Sequence, residues 1–232
     1  MTQKILLSLT GIIVALIVIV LSRTYFRPPV IVNTELPPDN INRAIPTPPT
    51  HPLASTTPTI NTNASTFSLP LDRALERITK KPFGIYITPQ NSPVQPEKFS
   101  GYHTGVDFET FAEEANTQVT IKTICAGKVI YKQRVSGYGG VFIQSCEYNG
   151  EAITVLYGHL ALSTIQLKVG DEIKAGTVIG YLGAGYSYDT DGERKHLHLG
   201  IHKGSAVELK GYVQSASELS GWLDGQKLLS GI

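Results

Sequence analysis

Several things are scarce in this chain, and each scarcity excludes something. Its 232 residues contain two cysteines, too few and too far apart for a CxxC metal site. Charge is sparse at 17%, and residues 101–232 carry 11 Lys/Arg against 14 Asp/Glu. A slightly acidic segment without a basic stripe lacks the electrostatic footprint of a phosphate-backbone binder, which excludes nucleic acid as a partner. Proline is absent after Pro96, and only two of the 22 glycines precede residue 101. Without proline, sheet ladders run uninterrupted, and glycine supplies the turns between strands. With 41% hydrophobic residues, disorder throughout is also excluded.

What is present divides the chain. Residues 1–4 precede an uncharged apolar run, Ile5–Leu21, of 17 residues, which as a helix spans roughly 26 Å. The run ends in LSRTYFRPP without a small-x-small cleavage site. Residues 5–22 are therefore read as an uncleaved transmembrane signal anchor rather than a signal peptide. Residues 23–66, rich in Pro, Thr and Asn, have no apolar period and read as an extended tether in which His51 is solvated. The folded unit is placed at 67–232, with its motif core at 101–204. Within SLPLDRALERITKK, residues Leu71, Ala74, Leu75 and Ile78 fall at helical spacing and predict a short amphipathic helix.

Chemistry concentrates in three motifs: HTGVD (His103, Asp107), YGHL (His159) and HLH (His196, His198). On a strand, residues two apart share a face, so His196 and His198 project together. Gly105 permits a sharp turn that brings His103 and Asp107 onto one ion. One histidine of the HLH pair completes a His/Asp/His set, and three protein ligands leave the fourth position of a zinc ion open, as catalytic sites require. The two remaining imidazoles are placed for proton transfer.

These motifs, with the glycine-rich stretch LKVGDEIKAGTVIGYLG between them, resemble the LytM/lysostaphin-type zinc metallopeptidases over about Tyr102 to Lys203. The resemblance implies a mainly β fold of packed antiparallel sheets with a zinc-containing groove. It implies that His103, Asp107 and His198 bind Zn²⁺ and that His159 and His196 are catalytic. It also implies an endopeptidase acting on the peptide stems or cross-bridges of peptidoglycan. The alternative is a non-catalytic LytM-like protein that binds the wall or activates another hydrolase; a lost ligand would favour it, and none is missing. A swinging-arm carrier, which LKVGDEIKAGTVIG also resembles, is remote because the only methionine is Met1.

The remaining features have structural readings. SGYGG separates two apolar runs and predicts a hairpin loop, since no GK[ST] follows it. That hairpin brings Cys125 and Cys146 to the open ends of neighbouring strands and predicts a disulfide, which places the domain outside the cytoplasm. The expected arrangement is a single-pass membrane protein with its amino terminus inside and its catalytic domain outside. Tyr102 and Tyr157 are read as strand packing, His202 as a partly exposed strand end, and Arg194 and Lys195 as solvated loop charge. SASELSGWLDGQKLL is read as a docked helix or turn.

Overall fold

The computed structural model describes residues 67–232. The predicted anchor (5–22) and tether (23–66) lie outside the described residues. Among the described residues, no helix is long and apolar enough to cross a membrane.

Twelve strands occur among the described residues: β1 (Tyr86–Ile87), β2 (Gly101–His103), β3 (Gly105–Glu109), β4 (Thr120–Lys122), β5 (Gly127–Val135), β6 (Gly139–Tyr148), β7 (Glu151–Gly158), β8 (Glu172–Ile173), β9 (Val178–Tyr181), β10 (His196–Lys203), β11 (Tyr212–Val213) and β12 (Trp222–Leu223). The main sheet runs β12-β10-β7-β6-β5-β8, and β3 pairs with β10 beside that path. Every recorded pairing in it is antiparallel. Small sheets β1-β2-β11 and β4-β9 complete a mainly β architecture.

Strand parity sorts the residues of the main sheet. On β10, Leu197, Leu199 and Ile201 enter the main core, while His196 and His198 alternate to the other face. On β3, Val106 and Phe108 enter the same core, leaving Gly105, Asp107 and Glu109 on the histidine face. A second, smaller cluster joins Tyr138, Val141, Ile143 and Leu156.

β5 and β6 form the expected hairpin, in register from Lys128↔Ser145 to Val135↔Gly139, with an irregularity between Val129 and Tyr131. Cys125 and Cys146 are bonded, their Cα atoms 6.1 Å apart. The bond closes a loop between residues 21 apart in sequence, and in the chain-entropy model this stabilises the fold by about 3 kcal/mol. Replacing both cysteines by serine is expected to lower the urea midpoint accordingly; an unchanged midpoint would contradict that role. Tyr157 is buried as packing, and its hydroxyl accepts from Ile124 N at 2.8 Å and donates to Gln144 Oε1 at 3.0 Å.

The amphipathic helix contracts to one 3₁₀ turn, Ala74–Arg77. Arg73 before it has φ 54°, a left-handed conformation incompatible with an earlier helix start. Leu71 and Ala74 are buried in the main core as expected, but Leu75 is 41% exposed. Arg77 is buried in its place, donating to both oxygens of Glu114 at 2.6 and 2.8 Å. The turn therefore packs on the sheet face opposite His196 and His198. At the carboxyl end, Ala216–Leu219 and Gly225–Leu229 are short helices flanking β12, and Leu229 is buried.

Candidate active site

Pairing of β10 with β3 sets His198 opposite Asp107, and β2 ends at His103, which is wholly buried. His103 Nε2 and His198 Nδ1 lie 3.1 Å apart. Asp107 Oδ1 lies 3.1 Å from that His198 nitrogen and 3.3 Å from the His103 nitrogen. A four-coordinate ion with bonds of about 2.0–2.1 Å has ligand atoms about 3.3–3.4 Å apart, and this triangle of 3.1, 3.1 and 3.3 Å comes close to the face of such a tetrahedron.

The tautomers agree with that use. His103 Nδ1–H donates to Pro82 O at 3.2 Å, which leaves the lone pair on Nε2. His198 Nε2 lies 3.3 Å from the Tyr138 hydroxyl, and donation from that nitrogen leaves Nδ1 as the lone pair. Two imidazole lone pairs and a carboxylate oxygen converge without a positive charge of their own, so the cluster can hold a metal ion.

Gly105 serves close approach rather than the expected turn. A Cβ there would sit 2.6 Å from His198 Cε1 and Nε2 and 2.7 Å from Leu199 O. Only glycine leaves room for the His198 ring. Gly158 does the same for Tyr138, whose ring would be 2.7 Å from a Cβ.

His159 follows β7 with φ 64°, a strained conformation for a non-glycine residue. Two backbone bonds hold it: its N–H donates to Tyr138 O at 3.2 Å, and its carbonyl accepts from Gly183 N at 2.8 Å. Its ring centroid lies 4.2 Å from that of His196. His159 Nδ1 is buried and has no hydrogen-bond partner among the described residues. His196 donates Nδ1–H to Arg194 O at 2.9 Å, leaving Nε2 3.3 Å from Asp107 Oδ2. All five residues of the sequence motifs therefore converge on one cleft, whose walls include Phe99, Tyr138 and Tyr212.

Burial pushes the His159 pKa well down, and repulsion from His196 and His198 adds to it. Burial likewise brings His198 down to about 4 from 6.5. For Asp107, burial pushes upward, but attraction from His196 and His103 wins and holds it well below its usual value. A histidine with a depressed folded pKa refuses a proton that the unfolded chain accepts. Its contribution is therefore full above about pH 6.5 and lost as pH falls towards about 4. Metal-free protein should accordingly have a lower urea midpoint at about pH 4.5 than at pH 7. A midpoint that rises on acidification would refute this.

His202 stays outside the cluster, packed edge-on against Trp222 at 4.8 Å. Two charges differ from expectation. Lys195 Nζ donates to the carbonyl oxygens of Glu114 and Thr117 instead of being solvated. Arg194 is 8% exposed and binds Asp107 and Glu109. Strand parity held the signal for this: Glu109 shares the face of Asp107 on β3, and a buried acid there needs a cation. Lys81, also buried, pairs with Glu97 and lies 3.1 Å from the Tyr212 hydroxyl.

Residues 101–209 match the model of peptidase family M23. This match bears out the LytM/lysostaphin-type resemblance of the motifs. M23 is a family of peptidoglycan hydrolases. Among curated proteins, Endolysin 2638A of Staphylococcus phage 2638A is 26% identical over 142 residues, covering 54% of this chain and 27% of the endolysin. The chain thus spans about a quarter of the length of that relative. Among solved structures, LytU is 29% identical, with 67% of this chain and 85% of LytU covered and a TM-score of 0.46. Lysostaphin is 25% identical, with 72% and 55% covered and a TM-score of 0.45.

Proposed function

We propose that this M23 domain is a zinc endopeptidase that hydrolyses peptide bonds in the stems or cross-bridges of peptidoglycan. The observation that carries the reading is the donor triangle of His103, Asp107 and His198 beside the paired rings of His159 and His196, all in one cleft. Two nitrogens and one oxygen at these separations suit Zn²⁺, whose chemistry when bound is polarisation of a carbonyl and acidification of a water to a pKa of about 7.

The chain supplies the rest. His159 and His196 are the groups placed to accept the proton of the attacking water and return it to the leaving amine. His196 has Nδ1 committed to Arg194 O, so its Nε2 is the nitrogen available for this. Tyr138, buried against His198, holds that ring in place. The complete ligand set and both further imidazoles favour catalysis over a purely wall-binding role.

The reading extends to location. The apolar run at 5–21 and the Pro/Thr/Asn-rich stretch after it support tethering to the outer face of the cell membrane, and the Cys125–Cys146 bond is compatible with an extracytoplasmic domain. Recovery of the chain in the soluble fraction, with its amino terminus starting after residue 22, would overturn the tether. For the activity, the full chain is expected to release soluble peptide from purified cell wall, to stop when a chelator removes zinc, and to resume on zinc addition. Digestion indifferent to chelation, or no digestion by zinc-loaded protein, would overturn the endopeptidase reading.

A further inference from the structure

Asp107 presents two oxygens, and its neighbours divide them. Oδ1 faces the donor triangle, 3.1 Å from His198 Nδ1 and 3.3 Å from His103 Nε2. Oδ2 points the other way and accepts from Arg194 Nη2 at 2.8 Å. His196 Nε2 also faces Oδ2, at the longer distance of 3.3 Å. Arg194 is the closer of the two partners and the one with a fixed charge.

The guanidinium is itself fixed. Its Nε donates to the two oxygens of Glu109 at 3.1 and 3.0 Å, and Nη2 reaches Glu109 Oε1 at 2.5 Å. Arg194 is 8% exposed and Glu109 9%, so the bridge is shielded from solvent. A planar, forked cation fixes the orientation of a carboxylate in a way that a point charge on a flexible stem does not. Arg194 lies two residues before β10, so the bridge ties the side chains of β3 to the segment that leads into the strand carrying both histidines.

We propose that Arg194, anchored by Glu109, is a positioning residue that restricts Asp107 to ligation through Oδ1. The proposal rests on the metal reading above. A carboxylate can bind an ion through one oxygen or through both. If Oδ2 swung towards the donor triangle it would occupy the coordination position that water and substrate must share. The bond from Arg194 opposes that swing, because leaving it strands a buried guanidinium without one of its two carboxylate partners.

The test uses the full chain loaded with cobalt(II), whose visible absorption is strong in four-coordinate sites and weak in five-coordinate ones. Two variants are compared with the wild type. Arg194→Gln combined with Glu109→Gln removes the cation together with the carboxylate that anchors it and leaves the Asp107 charge to be balanced by the metal, and Arg194→Lys keeps the charge without the fork. Both are expected to bind cobalt with weakened absorption and to digest cell wall about 10–100-fold more slowly with zinc. Arg194→Lys carries the same reading should the double variant fail to fold. If the variants keep the wild-type spectrum and rate, the positioning role is overturned and the metal reading stands. If the wild-type chain binds neither cobalt nor zinc, the metal reading falls and this proposal with it.

Discussion

Replacing His159 by alanine is expected to slow cell-wall digestion by about 10²–10⁴-fold, the range for loss of a positioned acid–base group. That factor corresponds to about 3–5 kcal/mol of barrier. The effect should be confined to the chemical step. His159 contributes no atom to the donor triangle, so metal content after dialysis should match that of the wild type. Stability should change little, because the packing lost with the ring is offset by removal of a buried Nδ1 that has no partner among the described residues. His196→Ala is expected to act similarly, and the double variant should be little worse than either alone, since two rings 4.2 Å apart work as one proton-handling unit. Full activity in His159→Ala, measured as soluble peptide released per unit time, would remove this residue from the mechanism.

The second large effect concerns the proposed ligands. His103→Ala or Asp107→Asn should reduce zinc content, measured by elemental analysis after dialysis, to background, and digestion should fall with it. Bound zinc lowers the pKa of a water by about nine units from its bulk value, so no rearrangement of the remaining imidazoles can replace it. The two variants should differ in stability. His103 is wholly buried, and removing its ring leaves a cavity beside Tyr212, whose centroid lies 5.2 Å away. Asp107→Asn keeps the volume but removes the charge opposite Arg194, leaving Glu109 as the partner of that guanidinium. Zinc retained at wild-type levels in both variants would place the metal elsewhere.

Much of this centre could be read from residue order because period-2 alternation carries its geometry. The alternation His196, Leu197, His198, Leu199 is enough to put two imidazoles on one face and two leucines in the core. The hairpin and the Cys125–Cys146 bond followed from two apolar runs separated by SGYGG. Other features were hidden for physical reasons. Gly105 is required by the proximity of a ring 93 positions later in the chain, and no local pattern reports such proximity. Helical spacing at Leu71–Ile78 promised a longer helix, but the backbone at Arg73 and the pull of Glu114 on Arg77 redirected it. Arg194 was misread because it lies among polar residues, where burial by a partner on a distant strand leaves no trace in hydropathy.

The short stretch that precedes β2 was the least visible of all, because it acts through its main chain. Pro82 supplies the carbonyl that orients His103, and Lys81 supplies the one that accepts from Asp107 N at 3.0 Å. Ile85 and Gly84 complete the seam, bonding His103 N and O at 2.9 Å each. All four residues lie before position 101, where the match to the family begins. Homology and chemistry therefore draw different borders on this chain. Grafting the recognisable motif block alone onto another scaffold would transplant the ligands without the backbone that aims them, and the smallest portable unit of this site includes a strip of sequence that carries no motif.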